Sequence, residues 1–347
     1  MATKNIRFNK RILVFNVNWL GDVLFSTPAF KALREAYPKA HIACIVHPRA
    51  KEILEGNPNI DEIILFDEKV KDKHLLSKFK FISGLQKKKF DTVYLFHRSF
   101  TRLMLMVMAS IPNRIGYKAK KRSSLFLTKK IPLPKAKIHR VEYFLNIIRA
   151  GGIPCPDMNY EFFIDSQSRK RIKLMLDNAG IKKEDFPVVL NPGGNWLLKR
   201  WVPERFIELA NALIRDFNAK IIISGSEKDV ALAESIAAKL TQKPLIACGK
   251  TTLKELGALL EASSLFISAD SGPMHIAASL GVPVLALFGP TSPDITGPIG
   301  KGVIKIIHKD VGCQIPCYKV DCLDNRCMKA ISVSDCLEAV GSILKRK

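Results

Sequence analysis

Short apolar runs alternate with amphipathic stretches along almost the whole chain. Arg11–Val17, His41–His47, Glu62–Phe66 and Thr92–Phe96 are compact and apolar, a pattern that predicts strands. Between them, a stretch from about Asp22 to Tyr37, Ala50–Glu55 and Leu75–Gln86 place apolar residues at helical spacing. The pattern pauses at Gly151-Gly152-Ile153-Pro154-Cys155-Pro156-Asp157, where a linker is expected, followed by a strand-like Tyr160–Ile164 and a helix from about Ser168 to Ala179. A second alternation then predicts strands at Val188–Leu190, Lys220–Ser224, Leu245–Ala247, Leu265–Ser268 and Val282–Leu287. Helices are predicted at Pro203–Phe217, Lys228–Leu240, Leu253–Glu261, Met274–Leu280 and Val333 to about Leu344.

Strand–helix alternation of this kind implies parallel βαβ units, so the expected class is α/β with two Rossmann-like domains facing a cleft. Residues 1–165 are assigned to the first domain and 166–330 to the second, with 331–347 forming a C-terminal helix expected to pack back on the first domain. Ligands of such sheets bind at the carboxyl ends of the strands, which directs attention to the residues just after each one.

Four such places carry chemistry. After Leu265–Ser268 stands Asp270-Ser271-Gly272-Pro273-Met274-His275, where a helix begins. The free N–H groups and positive dipole end of a helix start attract an anion, Gly272 allows close approach, and Ser271 can cap the helix or bond a phosphate oxygen. A simple capped helix with a buried His275 fits the same residues. After the first strand, Trp19-Leu20-Gly21-Asp22 offers a tight turn and a carboxylate, Asp22, available as a general base or as a helix-start acid. After Val188–Leu190 come Asn191-Pro192-Gly193-Gly194-Asn195 and then Lys199-Arg200-Trp201. Gly193 and Gly194 can present N–H groups to a phosphate, and Lys199 and Arg200 can neutralise it, unless the loop is merely solvated. Gly225-Ser226-Glu227-Lys228-Asp229 follows the next strand, and Glu227 could accept from ribose hydroxyls or be an ordinary helix-start acid.

Charge sharpens this picture. The 347 residues carry a formal net charge of +23, and the stretch from Glu68 to Arg140 holds 20 Lys/Arg against 3 Asp/Glu. An excess that strong points to an acidic partner: nucleic acid, an anionic membrane surface or a phosphorylated substrate. The longest apolar run near it, Leu103 to Ile111, is nine residues, far below the ~20 that span a bilayer. No signal peptide is evident, so a cytoplasmic protein with reduced thiols is expected. Cys313, Cys317, Cys322 and Cys327 are spaced C-x3-C-x4-C-x4-C, which suits either a structural zinc site or half-buried thiols, with the thiols preferred and no metal assigned. Hydrolase, zincin and P-loop signatures are missing. A basic nucleic-acid-binding protein is disfavoured, because the positive stretch has little aromatic interleaving and no known nucleic-acid module.

These residues, in order from the Gly21-Asp22 turn through Pro192-Gly193-Gly194, Lys199-Arg200-Trp201, Gly225–Asp229 and Asp270–His275 to Phe288-Gly289-Pro290-Thr291-Ser292-Pro293, resemble glycosyltransferase family nine, the ADP-heptose:lipopolysaccharide heptosyltransferases. The resemblance runs from Arg11 to about Lys345 and is nearest to the heptosyltransferase II branch. It implies the two-domain GT-B architecture and an inverting, metal-independent transfer that needs no cofactor. The nucleotide-sugar donor, ADP-heptose, would occupy the C-terminal domain, and a phosphorylated, lipid-linked saccharide acceptor would meet the N-terminal one. By the same resemblance Asp22 is the base, and Gly193, Gly194, Lys199, Arg200, Glu227, Asp270, Ser271, Gly272 and His275 bind the donor. Asn18, Trp19 and Gly21 fall on the acceptor side. The protein is expected to sit peripherally on the cytoplasmic face of the inner membrane, and to bind no nucleic acid. Another nucleotide sugar used on another glycan is the alternative within the same fold.

Overall fold

The computed structural model describes residues 10–345 apart from 69–71, 73, 119–122, 318 and 320. Six cations of the basic stretch, Lys69, Lys71, Lys73, Lys120, Lys121 and Arg122, therefore lie outside the described residues. The chain forms two compact units, Met1–Phe163 and Ile164–Lys347.

The first unit is a six-stranded parallel sheet of β1 (Arg11–Phe15), β2 (His41–Val46), β3 (Glu62–Leu65), β4 (Thr92–Leu95), β5 (Asn113–Tyr117) and β6 (Lys129–Ile131), in the order β3-β2-β1-β4-β5-β6. The second has β7 (Phe186–Asn191), β8 (Ala219–Ile223), β9 (Leu245–Ile246), β10 (Leu265–Ala269), β11 (Val284–Phe288) and β12 (Ile304–His308), in the order β12-β11-β10-β7-β8-β9. Read from the other end, the second order repeats the first. Both are doubly wound sheets whose connections reverse direction at one point, between β1 and β4 and between β7 and β10.

The central strands are the legible ones because helices cover both of their faces. Ile12, Leu13 and Val14 are at most 1% exposed, and every residue of β10 is buried, so these strands read as continuous apolar runs. Three strands lack that signature. β5 and β6 carry Asn113, Arg114, Lys129 and Lys130, and β12 is an edge strand with no fully buried residue. They take strand geometry from pairing with a neighbour rather than from burial.

Two other expectations change. The predicted helix from Asp22 to Tyr37 is two helices, Leu20–Phe25 and Thr27–Ala36, because Pro28 has no N–H to continue the ladder and Ser26 closes the first turn through its hydroxyl to the Val23 carbonyl at 2.6 Å. Tyr160–Ile164 is not a strand. Tyr160 and Phe162 alternate inward as expected, but they pack on helices: the Tyr160 ring meets Phe25 edge-on at 5.4 Å, and the Glu161 amide donates to Thr27 Oγ1 at 2.9 Å.

The C-terminal helix Val333–Leu344 begins in a capping box between Ser332 and Asp335. Its apolar face, Val333, Cys336, Val340 and Ile343, belongs to the core of the second unit, with β11, β12 and the helix Pro203–Phe217.

Candidate active site

Each unit places its candidate residues at its own switch point, and the two sites are built separately. In the second unit, Asp270 follows β10 and is buried. Lys199 Nζ lies 2.7 Å from Asp270 Oδ2, His275 Nε2 is 3.8 Å from Oδ1, and Thr296 Oγ1 donates to Oδ2 at 3.4 Å. Burial alone would raise the Asp270 carboxyl; His275 and Lys199 outweigh it and hold the group well below the usual carboxylate range. Asp270 thus stays ionised, and the stability its partners confer is full at neutral pH and is lost progressively as the pH falls from the ordinary carboxylate range through the depressed folded-state value. The aspartate serves as the fixed anchor of a cation that would otherwise swing on a flexible stem.

Beside it, Ser271 caps the helix Gly272–Ser279, accepting from the Met274 amide at 3.4 Å. Its hydroxyl also meets Ser268 Oγ at 2.8 Å. Ser268 in turn accepts from Asn191 Nδ2 at 3.5 Å, and Asn191 Oδ1 accepts from Ser224 at 3.2 Å. A buried polar chain therefore runs across the ends of β8, β7 and β10 and fixes the loop that bears the helix start. Two more polar atoms, Trp196 Nε1 and Thr291 Oγ1, are buried without a hydrogen-bond partner among the described residues, and the Trp196 ring lies 5.5 Å from Lys199 Nζ. Orphaned polar groups in a native site are expected to meet a ligand or water.

Gly193 and Arg200 are tied into the packing of their own loop. A Cβ on Gly193 would sit 2.3 Å from Asp229 Cγ, so the glycine is demanded by a carboxylate packed against its backbone. Asp229 is buried and accepts from the Ser226 amide at 3.0 Å and the Ser226 hydroxyl at 2.6 Å. Arg200 completes the cluster, donating to Asp229 Oδ1 at 3.2 Å and twice to the Gly194 carbonyl, at 2.9 and 2.6 Å. Its guanidinium clamps the glycine loop, and Lys199 is the cation nearer Asp270. Gly194, at φ +145°, adopts a conformation that favours glycine. Glu227 is exposed in the short 3-10 turn before Val230. Trp201 is a core residue, 1% exposed, that donates from Nε1 to the Ile331 carbonyl at 3.0 Å. Asp229, Asn191, Ser268 and Thr296 are not among the candidate residues the sequence offers.

Gly193→Ala is expected to destabilise the second unit by about 1–3 kcal/mol, the usual cost of overpacking, because the pinned Asp229 cannot yield. Lowered thermal midpoints, with a weaker upward shift on adding ADP, would register both the strain and the disturbed loop.

In the first unit, Asp22 lies in the first turn of the helix that follows β1. Arg140 Nε donates to Asp22 Oδ1 at 3.0 Å, and the Arg140 guanidinium also stacks near Tyr143, 5.0 Å from its ring centre. The loop before Asp22 is held by two further arginines. Buried Arg102 donates to the Asn16 carbonyl and to Asn18 Oδ1, both at 3.1 Å, and pairs with Glu68 at 3.3 Å. Arg49 donates to the Asn18 carbonyl at 2.8 Å and covers the ring of Trp19, itself 61% exposed, at 4.4 Å. None of these arginines was legible as a partner from spacing. Arg140 lines an open cavity of about 640 Å³ with His97, Arg98, Lys118 and Tyr143, a strongly cationic wall. Burial, followed by the Arg102 charge, pushes His97 below its ordinary range, so this imidazole is neutral near pH 7.

Among the described residues no three His, Cys, Asp or Glu side chains are grouped as a metal site requires. Cys327 is buried, and burial raises its thiol.

Known proteins resemble this chain in sequence and fold. Lipopolysaccharide heptosyltransferase 2 of Salmonella typhimurium is 26% identical over 301 residues, spanning 83% of this chain and 85% of its own. The crystal structure of a family 9 glycosyl transferase from Veillonella parvula matches with a TM-score of 0.88 at 26% identity, covering 97% of this chain and 98% of that one. ADP-heptose lps heptosyltransferase II of E. coli shares the fold, with a TM-score of 0.79 at 24% identity over 97% of this chain and 99% of its own. The sequence model of Glycosyltransferase family 9 (heptosyltransferase) matches residues 78–326, and with that span covering most of its length the chain belongs to this family.

Proposed function

We propose that this glycosyltransferase moves heptose from ADP-heptose to the inner core of lipopolysaccharide with inversion, using Asp22 as general base. The observation that carries the reading is the anchored Lys199–Asp270 pair beside the Ser271-capped helix start, set at the switch point of the second sheet. A cation with a buried carboxylate behind it and free helix N–H groups beside it suits the diphosphate of a nucleotide sugar. The orphaned Trp196 and Thr291 groups are further candidates to meet that donor. The donor's name is taken from relatives such as the E. coli heptosyltransferase II.

In the transfer, an acceptor hydroxyl gives its proton to Asp22 and its oxygen attacks the anomeric carbon. The bond from that carbon to the diphosphate breaks, and ADP leaves with the electron pair. Lys199 and the Gly272–Ser279 helix start stabilise the charge that grows on the leaving oxygen. Arg140 orients Asp22, and the cationic wall of Arg98, Lys118 and Arg140 suits an acceptor that carries phosphate or carboxylate groups. With a lipid-linked acceptor, the reaction takes place on the anionic cytoplasmic face of the inner membrane, where the protein docks peripherally; no helix among the described residues is long and apolar enough to cross a membrane.

The deciding experiment is a panel of nucleotide sugars assayed for release of the nucleotide, with a deacylated inner-core oligosaccharide as acceptor. ADP-heptose should be turned over fastest. A faster reaction with another sugar nucleotide would reassign the donor and keep the mechanism. Because Lys199 and a helix start supply the positive charge, turnover is expected to be unchanged in EDTA. Loss of activity on chelation, restored by a divalent cation, would show that leaving-group stabilisation needs a metal.

A further inference from the structure

We propose that the outer faces of the helices Leu75–Lys88 and Phe100–Met108, with the turn Ser123–Phe126, form a surface that inserts apolar side chains into an anionic lipid bilayer; it rests on the reading that the acceptor is lipid-linked. Large exposed apolar side chains are concentrated here. Of fourteen among the described residues, eight lie between Leu75 and Leu133. Leu75 is 73% exposed, Leu76 84%, Phe79 57%, Phe100 49% and Leu125 72%. Isolated exposed apolar residues are ordinary, whereas a concentration of them marks a contact surface.

The helix Leu75–Lys88 shows why this is more than an imperfect core. Its C-terminal half buries Ile82 and Leu85 against the sheet, as an amphipathic helix should. In its first turns Leu75 and Phe79, spaced i and i+4, face away from that core alongside Leu76, with Lys78 and Lys80 interleaved. Phe126 carries the surface on to the turn, its ring 6.2 Å from that of Phe100.

Charge decides which partner fits. The stretch from Glu68 to Arg140 carries 20 cations and three acids, and each acid is engaged within the fold. Glu68 pairs with Arg102 at 3.3 Å, Asp72 accepts from the Asp67 amide at 2.7 Å, and Asp91 accepts from the Arg11 amide at 2.8 Å. Exposed Lys80 adjoins Phe79, and exposed Arg98 and Lys118 follow β4 and β5 on the same carboxyl edge of the sheet. Apolar side chains set among cations match the acyl boundary and headgroups of an anionic leaflet.

Topology then places this surface usefully. Both helices follow parallel strands, β3 and β4, so their starts lie on the carboxyl edge of the sheet, the edge that also bears Asp22 after β1. Arg102 ties those starts together, bonding the β1 loop at Asn16 and Asn18 and pairing with Glu68 beyond β3. Leu75, Leu76 and Phe100 therefore stand on the edge that carries the cationic cavity of His97, Arg98 and Arg140. A bilayer seated there presents a lipid-anchored saccharide to the Asp22 side of the domain.

The test compares the full-length protein with the triple variant Leu75→Ser, Leu76→Ser, Phe79→Ser by co-sedimentation with vesicles of phosphatidylglycerol and phosphatidylethanolamine. The variant should bind at least ~10-fold more weakly, given what burying three apolar side chains contributes. At about 0.5 M salt, where screening removes most of the electrostatic attraction, the wild type should retain more of its binding than the variant. Leu174→Ser, a similarly exposed site in the second unit, should bind as the wild type does. Should the triple variant fail to fold, the substitution Phe79→Trp replaces it: the indole emission it adds should be quenched by brominated lipids. Equal vesicle binding by wild type and triple variant, no binding by the wild type, or added emission that brominated lipids leave unquenched would overturn the proposal. Turnover of the deacylated acceptor by the triple variant should match the wild type. Because vesicle binding is measured without turnover, failure of heptose transfer would strike the proposed reaction and leave this surface standing.

Discussion

Asp22→Asn is expected to lower kcat by ~10²-fold or more while ADP binding and the thermal midpoint stay near wild type. General-base catalysis contributes roughly 10²–10⁴-fold, and the amide keeps the shape of the carboxylate while losing its ability to take a proton. The isosteric change also keeps an oxygen for Arg140 Nε, now 3.0 Å away, so the loop should hold its place. Arg140→Ala offers the complementary result. Removing the orienting guanidinium should reduce kcat less than the loss of Asp22, and combining the two should add little, because both act through one carboxylate. Steady-state rates with saturating donor, set beside ADP affinity from calorimetry, separate these outcomes. An Asp22→Asn enzyme turning over at the wild-type rate would remove Asp22 from the chemistry.

The second large effect belongs to the donor side. Lys199→Ala should reduce kcat/KM for the donor by roughly 10²–10³-fold, the range seen when one preorganised group facing a developing negative charge is lost. Asp270→Ala should be nearly as damaging without itself touching the donor, because it releases Lys199 from its 2.7 Å contact and leaves His275 without its carboxylate neighbour. The double variant should be little worse than Lys199→Ala alone. Additive losses would mean that Asp270 has work of its own at the donor. Asp270→Asn should recover part of the loss, since an amide oxygen can still accept from Lys199 while the charge is gone.

Which features were legible follows from where the physical signal resides. β1, β2, β7 and β10 announce themselves because burial on both faces makes their sequences continuously apolar. β5, with Arg114 and Gly116, and β6, with two lysines, take their geometry from a neighbouring strand, and no local pattern reports that. The candidate catalytic residues followed from one rule, that parallel strands deliver ligand-facing residues at their carboxyl ends, and Asp22, Lys199 and Asp270 all stand there. Their partners did not follow. Arg140 is 118 positions from Asp22, and Arg102 reaches Asn18 across 84. Asp229 was hidden for a different reason: its importance comes from lying against the bare backbone of Gly193, a matter of van der Waals contact with no sequence signature.

The bond from Trp201 Nε1 to the Ile331 carbonyl bears on how the protein comes into being. Trp201 adjoins Lys199 and Arg200, and Arg205 also donates to the Lys329 carbonyl at 2.7 Å, so the donor loop leans on a segment 130 positions further along the chain. Domains generally fold as units during synthesis, the N-terminal one first. When β12 has emerged from the ribosome and Ile331 has not, the first unit can already be complete, whereas the second has its strands but lacks the backstop for its donor loop. Competence to bind nucleotide should therefore arrive only once Ile331 has emerged, and a nascent chain stalled before it should present a formed Asp22 loop and an unfinished donor site.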